Sequence, residues 1–433
     1  MGDLALNGGK PVRAEPYPSW PAVTEADVEA VTQVLRSGKW GRIAGSVVGE
    51  FEREFAEYQG AAYCLGVNSG TSALEVGLMA LNLEPGAEVI LCPYTFFASA
   101  TSILLTGGVP IFVDMDPDTY NIDPDKIEAA ITDRTAAIMA VHFAGLACDM
   151  DRIRAIASKH KLKIIEDAAH AHGAKWNGTP LGAVGDVGAF SFQASKNLNS
   201  GEGGAVLTND EGVYSRAIDM HDLWTGGLAA RGGDRGGGSL RAGRSWVFPF
   251  ACHNFRMTAM QAALLRSQMG RLEQQAVRRA ENGRILIALF EETEGLRNLR
   301  RDPYVTRDSH HLFIFKYDED AFDGLDRKVF IQALNAEGIP ATAGYPRGCH
   351  KQPLFTEPKG DLSRVWPRKP GGKVDVNYAA QECPNVDYYC EHETVWLPQS
   401  LLLDTRKGME QVGEAIEKIR ENVGELAGVR AGV

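Results

Sequence analysis

The sequence predicts an α/β protein built on a mostly parallel, seven-stranded sheet, followed by a second, smaller α/β domain. Three observations predict this. Between about residues 60 and 210, short β-rich runs alternate with helical patterns of ten to fifteen residues, the rhythm of strands joined by crossover helices. From Met257 to Thr293 helical periodicity then continues for over thirty residues, a length that suits a helix bridging two domains or crossing a dimer. Beyond about residue 295 a strand and helix pattern restarts.

The elements follow in order. AYCLGV (62–67), EVILC (88–92), VPIFVD (109–114), AAIMAV (136–141) and KIIED (163–167) read as strands, separated by helical segments such as TSALEVGLMALN and DMDRIRAIASKH. GAFSFQ (188–193) and GGAVLTN (203–209) add two strands with no helix between them, which makes the sheet mixed. Thr225–Trp246 is rich in Gly and Arg and cannot form a core, so it reads as a long loop. It is either a solvated excursion or a lid carrying Arg231, Arg235, Arg241 or Arg244 toward an anion. The second domain begins with HHLFIFKYD (310–318), continues through a helix around DRKVFIQALNAEG and a Pro-rich stretch (346–372), and ends with an amphipathic helix near GMEQVGEAIEKIREN. The expected division is 1–290, an N-terminal arm and large domain, and 291–433, the small domain.

Composition narrows the function. The 433 residues, 44% hydrophobic and 23% charged, describe a folded globular chain. Its 45 Lys and Arg against 56 Asp and Glu give a net charge of −11, which repels nucleic-acid backbones. The seven cysteines are odd in number and include no C-x-x-C pair, which reads as reduced thiols in a cytoplasmic protein. The N-terminus lacks a signal-peptide core, and no stretch approaches 18 uninterrupted apolar residues, so neither secretion nor membrane insertion is expected.

Three constellations carry chemistry. In VNSGTSALEVGLMAL a strand ends at Val67, a turn holds Asn68 to Gly70, and Thr71 and Ser72 open a helix. Such a helix start can hold a phosphate, although Ser and Thr there also serve as ordinary caps. In KIIEDAAHAHGA, Glu166 and Asp167 arrive at the carboxyl end of an apolar strand, where open α/β sheets place their ligand crevice. His170 and His172 raise a metal reading, but they stand two residues apart, with no further His or Cys at metal-ligand spacing. In FSFQASKNLNSGEGGAV, Lys196 lies between an apolar strand and a Gly-rich turn; desolvation there would lower its pKa and supply a free amine. A phosphate cradle, a buried acid and a desolvated lysine are what pyridoxal 5′-phosphate needs for its phosphate, its ring nitrogen and its aldehyde.

From VTQVLRSGKWG through NSGTSAL, PYTFFASAT, GGVPIFVDMDPDT, EDAAHAHGA, FSFQASKNLNSGEGGAV, NFRMTAMQAALLRSQM and GIPATAGYP, the chain resembles the DegT/DnrJ/EryC1/StrS family of pyridoxal-phosphate sugar and cyclitol aminotransferases. The resemblance implies the aspartate-aminotransferase fold (fold type I) and a homodimer with shared active sites. It implies that Lys196 bonds the cofactor and shuttles protons, and that Asp167 pairs with the ring nitrogen. Phe96 would stack on the ring, with a place in the core as its other reading. Thr71, Ser72 and Ser191 would hold the phosphate, with Gly70 allowing the close backbone approach, and Asn254 would reach it from the neighbouring subunit. His170 stands where many relatives have Gln, against the cofactor's phenolic oxygen. The expected reaction moves an amino group from glutamate or glutamine to a keto-sugar or keto-cyclitol. The second domain, in ALNAEGIPATAGYP and ETVWLPQSLLL, looks most like the glutamine:scyllo-inosose branch. Tyr345 and His350 are either acceptor contacts or parts of a structural turn. The alternatives are a dehydratase or epimerase using the same cofactor, which retention of Lys196 disfavours, and a non-enzymatic regulatory protein on the same scaffold.

Overall fold

The computed structural model describes residues 2–222, 253–357 and 376–429. The stretch Thr225–Trp246 and residues 358–372 of the Pro-rich segment lie outside the described residues. All seven expected strands form one sheet. β1 (Tyr63–Val67), β2 (Glu88–Leu91), β3 (Val109–Phe112), β4 (Thr135–Val141) and β5 (Lys163–Asp167) come first; after a small hairpin of β6 (Lys175–Trp176) and β7 (Thr179–Pro180), β8 (Val187–Ser191) and β9 (Gly204–Thr208) complete it. The spatial order is β1-β9-β8-β5-β4-β2-β3.

β8, β5, β4, β2 and β3 run parallel to one another. β9 is antiparallel to both its neighbours, so it alone runs against the rest. Six strands therefore deliver their carboxyl ends to one edge of the sheet. β2, β8 and β9 are buried at every position, because helices cover both faces; this is why they read as continuous apolar runs.

The long helix Ala259–Glu291 begins at a capping box of Thr258 and Gln261. It spans both hydrophobic cores: Leu265 and Leu272 belong to the large one around the sheet, Leu286 and Phe290 to a second. That second core lies under a three-stranded sheet, β10 (Leu296–Asn298), β12 (Leu312–Tyr317) and β13 (Thr394–Pro398), and the helices Arg327–Ala336 and Arg406–Glu421. β11 (Val305–Arg307) lies outside that sheet and pairs with β6.

The cores cross the expected boundary at residue 290 in both directions. Leu4, at the start of the chain, is fully buried in the second core. Buried Glu337 holds the arm there: its carboxylate accepts the N–H groups of Ala5 and Val12 at 2.8 and 2.9 Å and pairs with Lys418 at 2.9 Å. Conversely, Phe355 packs edge-on against Phe112 of β3, with ring centroids 5.1 Å apart, so part of the Pro-rich segment belongs to the large core. Hydrophobic pattern shows that a segment needs covering but not which core covers it. The six described cysteines are unpaired and buried, and no helix of the described residues is long and apolar enough to cross a membrane.

Glu337→Ala should leave two part-buried N–H groups without their acceptor and remove the partner of the half-buried Lys418, which keeps the Lys10 carbonyl, at a cost of about 1 to 2 kcal/mol. A urea titration should show a lower midpoint, and the first residues should become sensitive to protease; an unchanged midpoint would mean that the arm is held by other contacts.

Candidate active site at the carboxyl edge of the sheet

The strand ends bring together residues that lie far apart in sequence. Register places Val67, Gly204 and Ser191 side by side across β1, β9 and β8, which sets the turn after β1 against Ser191. Two glycines make that approach possible. A Cβ at Gly70 would lie 2.6 Å from Ser191 Cβ, and one at Gly204 would lie 2.2 Å from the carbonyl oxygen of Ser69. Ser69 caps the helix Gly70–Ala80, its Oγ accepting the N–H of Ser72 at 3.1 Å. The N–H groups of Gly70 and Thr71, which have no intrahelical acceptor, remain to bind an anion. Ser72 gives its hydroxyl proton to Asn68 Oδ1 at 2.7 Å and must turn from it to serve a phosphate. Ser191 Oγ accepts from the N–H of Gln193 at 3.3 Å, which leaves its own proton available.

β5 separates its two terminal acids because neighbouring side chains point to opposite faces. Glu166 is fully buried and serves structure. It accepts from the N–H groups of Gly182, Val184 and Gly185 at 2.6 to 2.7 Å and from His142 Nε2 at 2.9 Å. Burial raises its pKa, and these bonds outweigh burial and hold it low.

Asp167, on the other face, is 6% exposed. Its Oδ2 accepts from Ser99 Oγ at 2.7 Å and its Oδ1 from the N–H of Ala169 at 3.2 Å. Ser99 Oγ also lies 2.9 Å from Thr95 Oγ1; with its proton committed to the carboxylate, Thr95 is the donor of that bond. Two hydroxyls thus relay into Asp167. Burial nevertheless raises its pKa, against the pull of Ser99, Ala169 and Lys196. This carboxylate lacks a full counter-charge.

Lys196 sits in the loop between β8 and β9. Burial lowers its pKa to about 8, and Asp167 pulls it back up. Relative to its ordinary 10.5, that is a cost of about 3 kcal/mol to the ammonium form. The N-terminal arm reaches this loop, where the Trp20 indole N–H donates to the Lys196 carbonyl at 3.1 Å. Arg279 of the long helix is fully buried beneath the indole, 5.2 Å from its ring, and forks onto Gln399 Oε1 at 2.9 and 2.6 Å.

His170 is buried in the turn after β5, with its Nδ1 accepting the N–H of Ala144 at 3.2 Å. Ala144 takes φ +58, a left-handed conformation that costs a non-glycine residue about 1 kcal/mol and aims its N–H at the imidazole. Phe96 is 63% exposed, so it is not the core phenylalanine of its other reading. Asn254 is exposed, paired through its backbone with Asp222. Tyr345 stands among Tyr94, Phe143 and Trp396, with ring centroids 4.9 to 5.9 Å away. His350 is not brought to this cluster. It is buried beside Phe112 on the edge strand β3, with its Nε2 3.2 Å from Asp387. Among the described residues no group of His, Cys, Asp and Glu could hold a metal ion.

Ser99, Thr95, Trp20, Ala144 and Arg279 escape sequence reasoning. Ser99 and Thr95 stand at the four-residue spacing of helix neighbours around Phe96, but nothing in the sequence directs them at Asp167.

The chain is similar to known proteins over nearly its whole length. Residues 21–368 match the DegT/DnrJ/EryC1/StrS aminotransferase family. A putative L-glutamine:3-amino-2,3-dideoxy-scyllo-inosose aminotransferase of Micromonospora echinospora is 35% identical over 98% of each chain. An L-glutamine:2-deoxy-scyllo-inosose aminotransferase of Streptoalloteichus tenebrarius is 38% identical over 79% of this chain and 81% of its own. Among solved structures, 3-amino-5-hydroxybenzoic acid synthase superposes with a TM-score of 0.80 at 32% identity, covering 95% of this chain and 100% of its own. NtdA of Bacillus subtilis with its cofactor PMP bound has a TM-score of 0.73 at 27% identity, over 95% of this chain and 86% of its own. The fold is therefore the fold type I of the aspartate aminotransferases, as the resemblance implied. With relatives that match it from end to end and a family model that covers most of its length, this chain belongs to the DegT/DnrJ/EryC1/StrS aminotransferase family and is a transaminase.

Proposed function

We propose that this transaminase moves an amino group from glutamine or glutamate to a keto-cyclitol or keto-sugar, using pyridoxal 5′-phosphate held at the carboxyl edge of the sheet. One observation carries the cofactor reading: a buried carboxylate, Asp167, without a full counter-charge, facing a lysine whose pKa burial lowers to about 8. A protonated ring nitrogen beside Asp167 would supply the missing cation. The turn at Gly70, Thr71 and Ser72, with Ser191, offers N–H groups and hydroxyls to a phosphate, and exposed Phe96 offers a face to a ring. The residues fit the group.

When bound, the cofactor supplies an aldehyde that captures amines and a ring that accepts electrons. Lys196 provides the amine that holds it and, once displaced by the donor's amine, the base that moves the proton from the donor's α-carbon. Its lowered pKa leaves about a tenth of it as free amine at pH 7, on the order of a hundredfold more than an ordinary lysine would have. Asp167 keeps the ring nitrogen protonated, with Ser99 and Thr95 fixing the carboxylate's orientation. His170 donates from Nε2 to the phenolic oxygen, because its Nδ1 is already occupied as an acceptor. Tyr345 borders the acceptor's space with its aromatic neighbours. Asn254, exposed on the protomer, completes the phosphate site of a second copy in a homodimer. The acceptor class follows the relatives, whose names give scyllo-inosose derivatives with glutamine as donor.

A panel of keto-sugars and scyllo-inosose, scored by return of the amine-loaded cofactor's spectrum to the aldehyde form, tests the substrate. The cyclitol or a keto-sugar should restore it, and failure of every member would remove this acceptor class. Asp167→Asn should retain cofactor but lower turnover more than a hundredfold, since an amide cannot keep the ring nitrogen protonated; near-normal turnover would mean that another group holds it. The rate at which cofactor-free protein captures pyridoxal phosphate should rise about tenfold per pH unit below about pH 8 and level off above it, as the Lys196 ammonium loses its proton. A rise continuing to pH 10 would show an unperturbed lysine.

A further inference from the structure

A second histidine reaches the site from the other domain. The segment Asp308–His311, which leads into β12, lies against the turn after β5: Ser309 Oγ donates to the His170 carbonyl at 2.6 Å. The imidazoles of His170 and His311 are in contact, with centroids 4.1 Å apart and ring planes tilted by 37°. Their hydrogen-bond partners assign each ring a tautomer. Asn197, next to Lys196, donates through Nδ2 to the Ser309 carbonyl at 2.8 Å. Its Oδ1 is therefore the atom that faces His311 Nδ1 at 3.3 Å. An amide oxygen only accepts, so His311 carries its proton on Nδ1 and its Nε2 is a bare acceptor. His170 has the opposite tautomer, with the Ala144 N–H on its Nδ1 and its own proton on Nε2.

Neither Nε2 bonds to a protein atom, and neither is among the enclosed polar atoms without partners. The pair thus offers one donor, which the reading above gives to the cofactor's phenolic oxygen, and one acceptor, His311 Nε2, that is left for a substrate. Burial holds both rings neutral, and the charge of Lys196 adds to the effect. His311 is correspondingly too weak a base to take a proton from Lys196, so it serves as a hydrogen-bond acceptor. A carboxylate has no proton to give it. An incoming ammonium would be opposed by Lys196 and Arg279, whose charges already act on the ring. A neutral hydroxyl meets neither objection.

We propose that His311 is a substrate-recognition residue whose Nε2 accepts a hydrogen bond from a hydroxyl of the keto acceptor, and that Asn197 is the positioning residue that sets its tautomer. This deepens the function above and rests on it, because it requires a hydroxylated ketone as acceptor. It also explains why a polar amide adjoins the reactive lysine: Asn197 ties the Lys196 loop to the segment that reads the substrate.

The two half-reactions of the holoenzyme separate the possibilities. His311→Phe keeps an aromatic face against His170 and removes the acceptor. Its KM for scyllo-inosose should rise about ten- to a hundredfold, while the half-reaction with glutamine stays within about twofold of wild type. His311→Gln, whose amide oxygen can accept, should recover part of the loss. Asn197→Ala should raise the same KM by a smaller factor and leave kcat nearly unchanged. Cyclohexanone, which has no hydroxyl, should not distinguish wild type from His311→Phe. An unchanged KM in His311→Phe and His311→Gln, or equal losses in both half-reactions, overturns this proposal alone. A wild type that converts no hydroxylated ketone overturns the substrate reading and this proposal together.

Discussion

The burial of Asp167 and Lys196 close enough for their charges to act on one another is the constraint on which the rest of the site depends. Burial pushes the acid up and the amine down, so each drifts toward its neutral form, opposed at Asp167 by the hydrogen bonds of Ser99 and Ala169 and the charge of Lys196, and at Lys196 by the charge of Asp167. In water neither effect would exist. The fold maintains it by covering both faces of the sheet and by routing Ser99 and Thr95 onto the carboxylate, which keeps it aimed without neutralising it. A cation placed beside Asp167 would meet a carboxylate already oriented and already stripped of solvent, the cost of that stripping having been met during folding.

Large-scale architecture serves the same end. Because β9 alone opposes the other strands, six carboxyl ends share one edge, and the turns that follow them supply the cradle, the acid, His170 and the lysine loop. The two glycines at 70 and 204 matter for a geometric reason: without them the cap of the helix Gly70–Ala80 could not lie against Ser191. Glu166, one residue from Asp167, is driven by strand alternation to the opposite face and spends its charge on three backbone N–H groups. Adjacent carboxylates with identical sequence credentials thus have unrelated duties.

Contacts between the two cores converge on the lysine loop. The N-terminal arm starts latched to Glu337 on the second core and arrives with Trp20 on the Lys196 carbonyl, over a buried Arg279 that reaches Gln399 beyond β13. The segment leading into β12 arrives with Ser309 and His311 on His170 and Asn197. The loop that carries Lys196 and the turn that carries His170 are therefore fastened from both sides.

Much of this was legible in the residues. Alternating apolar runs and helical periods determined the seven strands, the long helix and the restart after it, since each segment must hide its own apolar side. Lys196, Asp167 and the turn at Gly70 could be picked out because their chemistry is paired with a local context: strand end, helix start, glycine turn. Tertiary structure alone decided which core the N-terminal arm joins, that the Phe355 segment covers the large sheet, and that His350 faces Asp387 while His311, ordinary in sequence, enters the site. It alone decided the hydroxyl relay behind Asp167 and the opposed tautomers of His170 and His311. These depend on which donors and acceptors meet across segments separated by tens to hundreds of residues, and hydrogen-bond partnership at that range leaves no periodic trace in the chain.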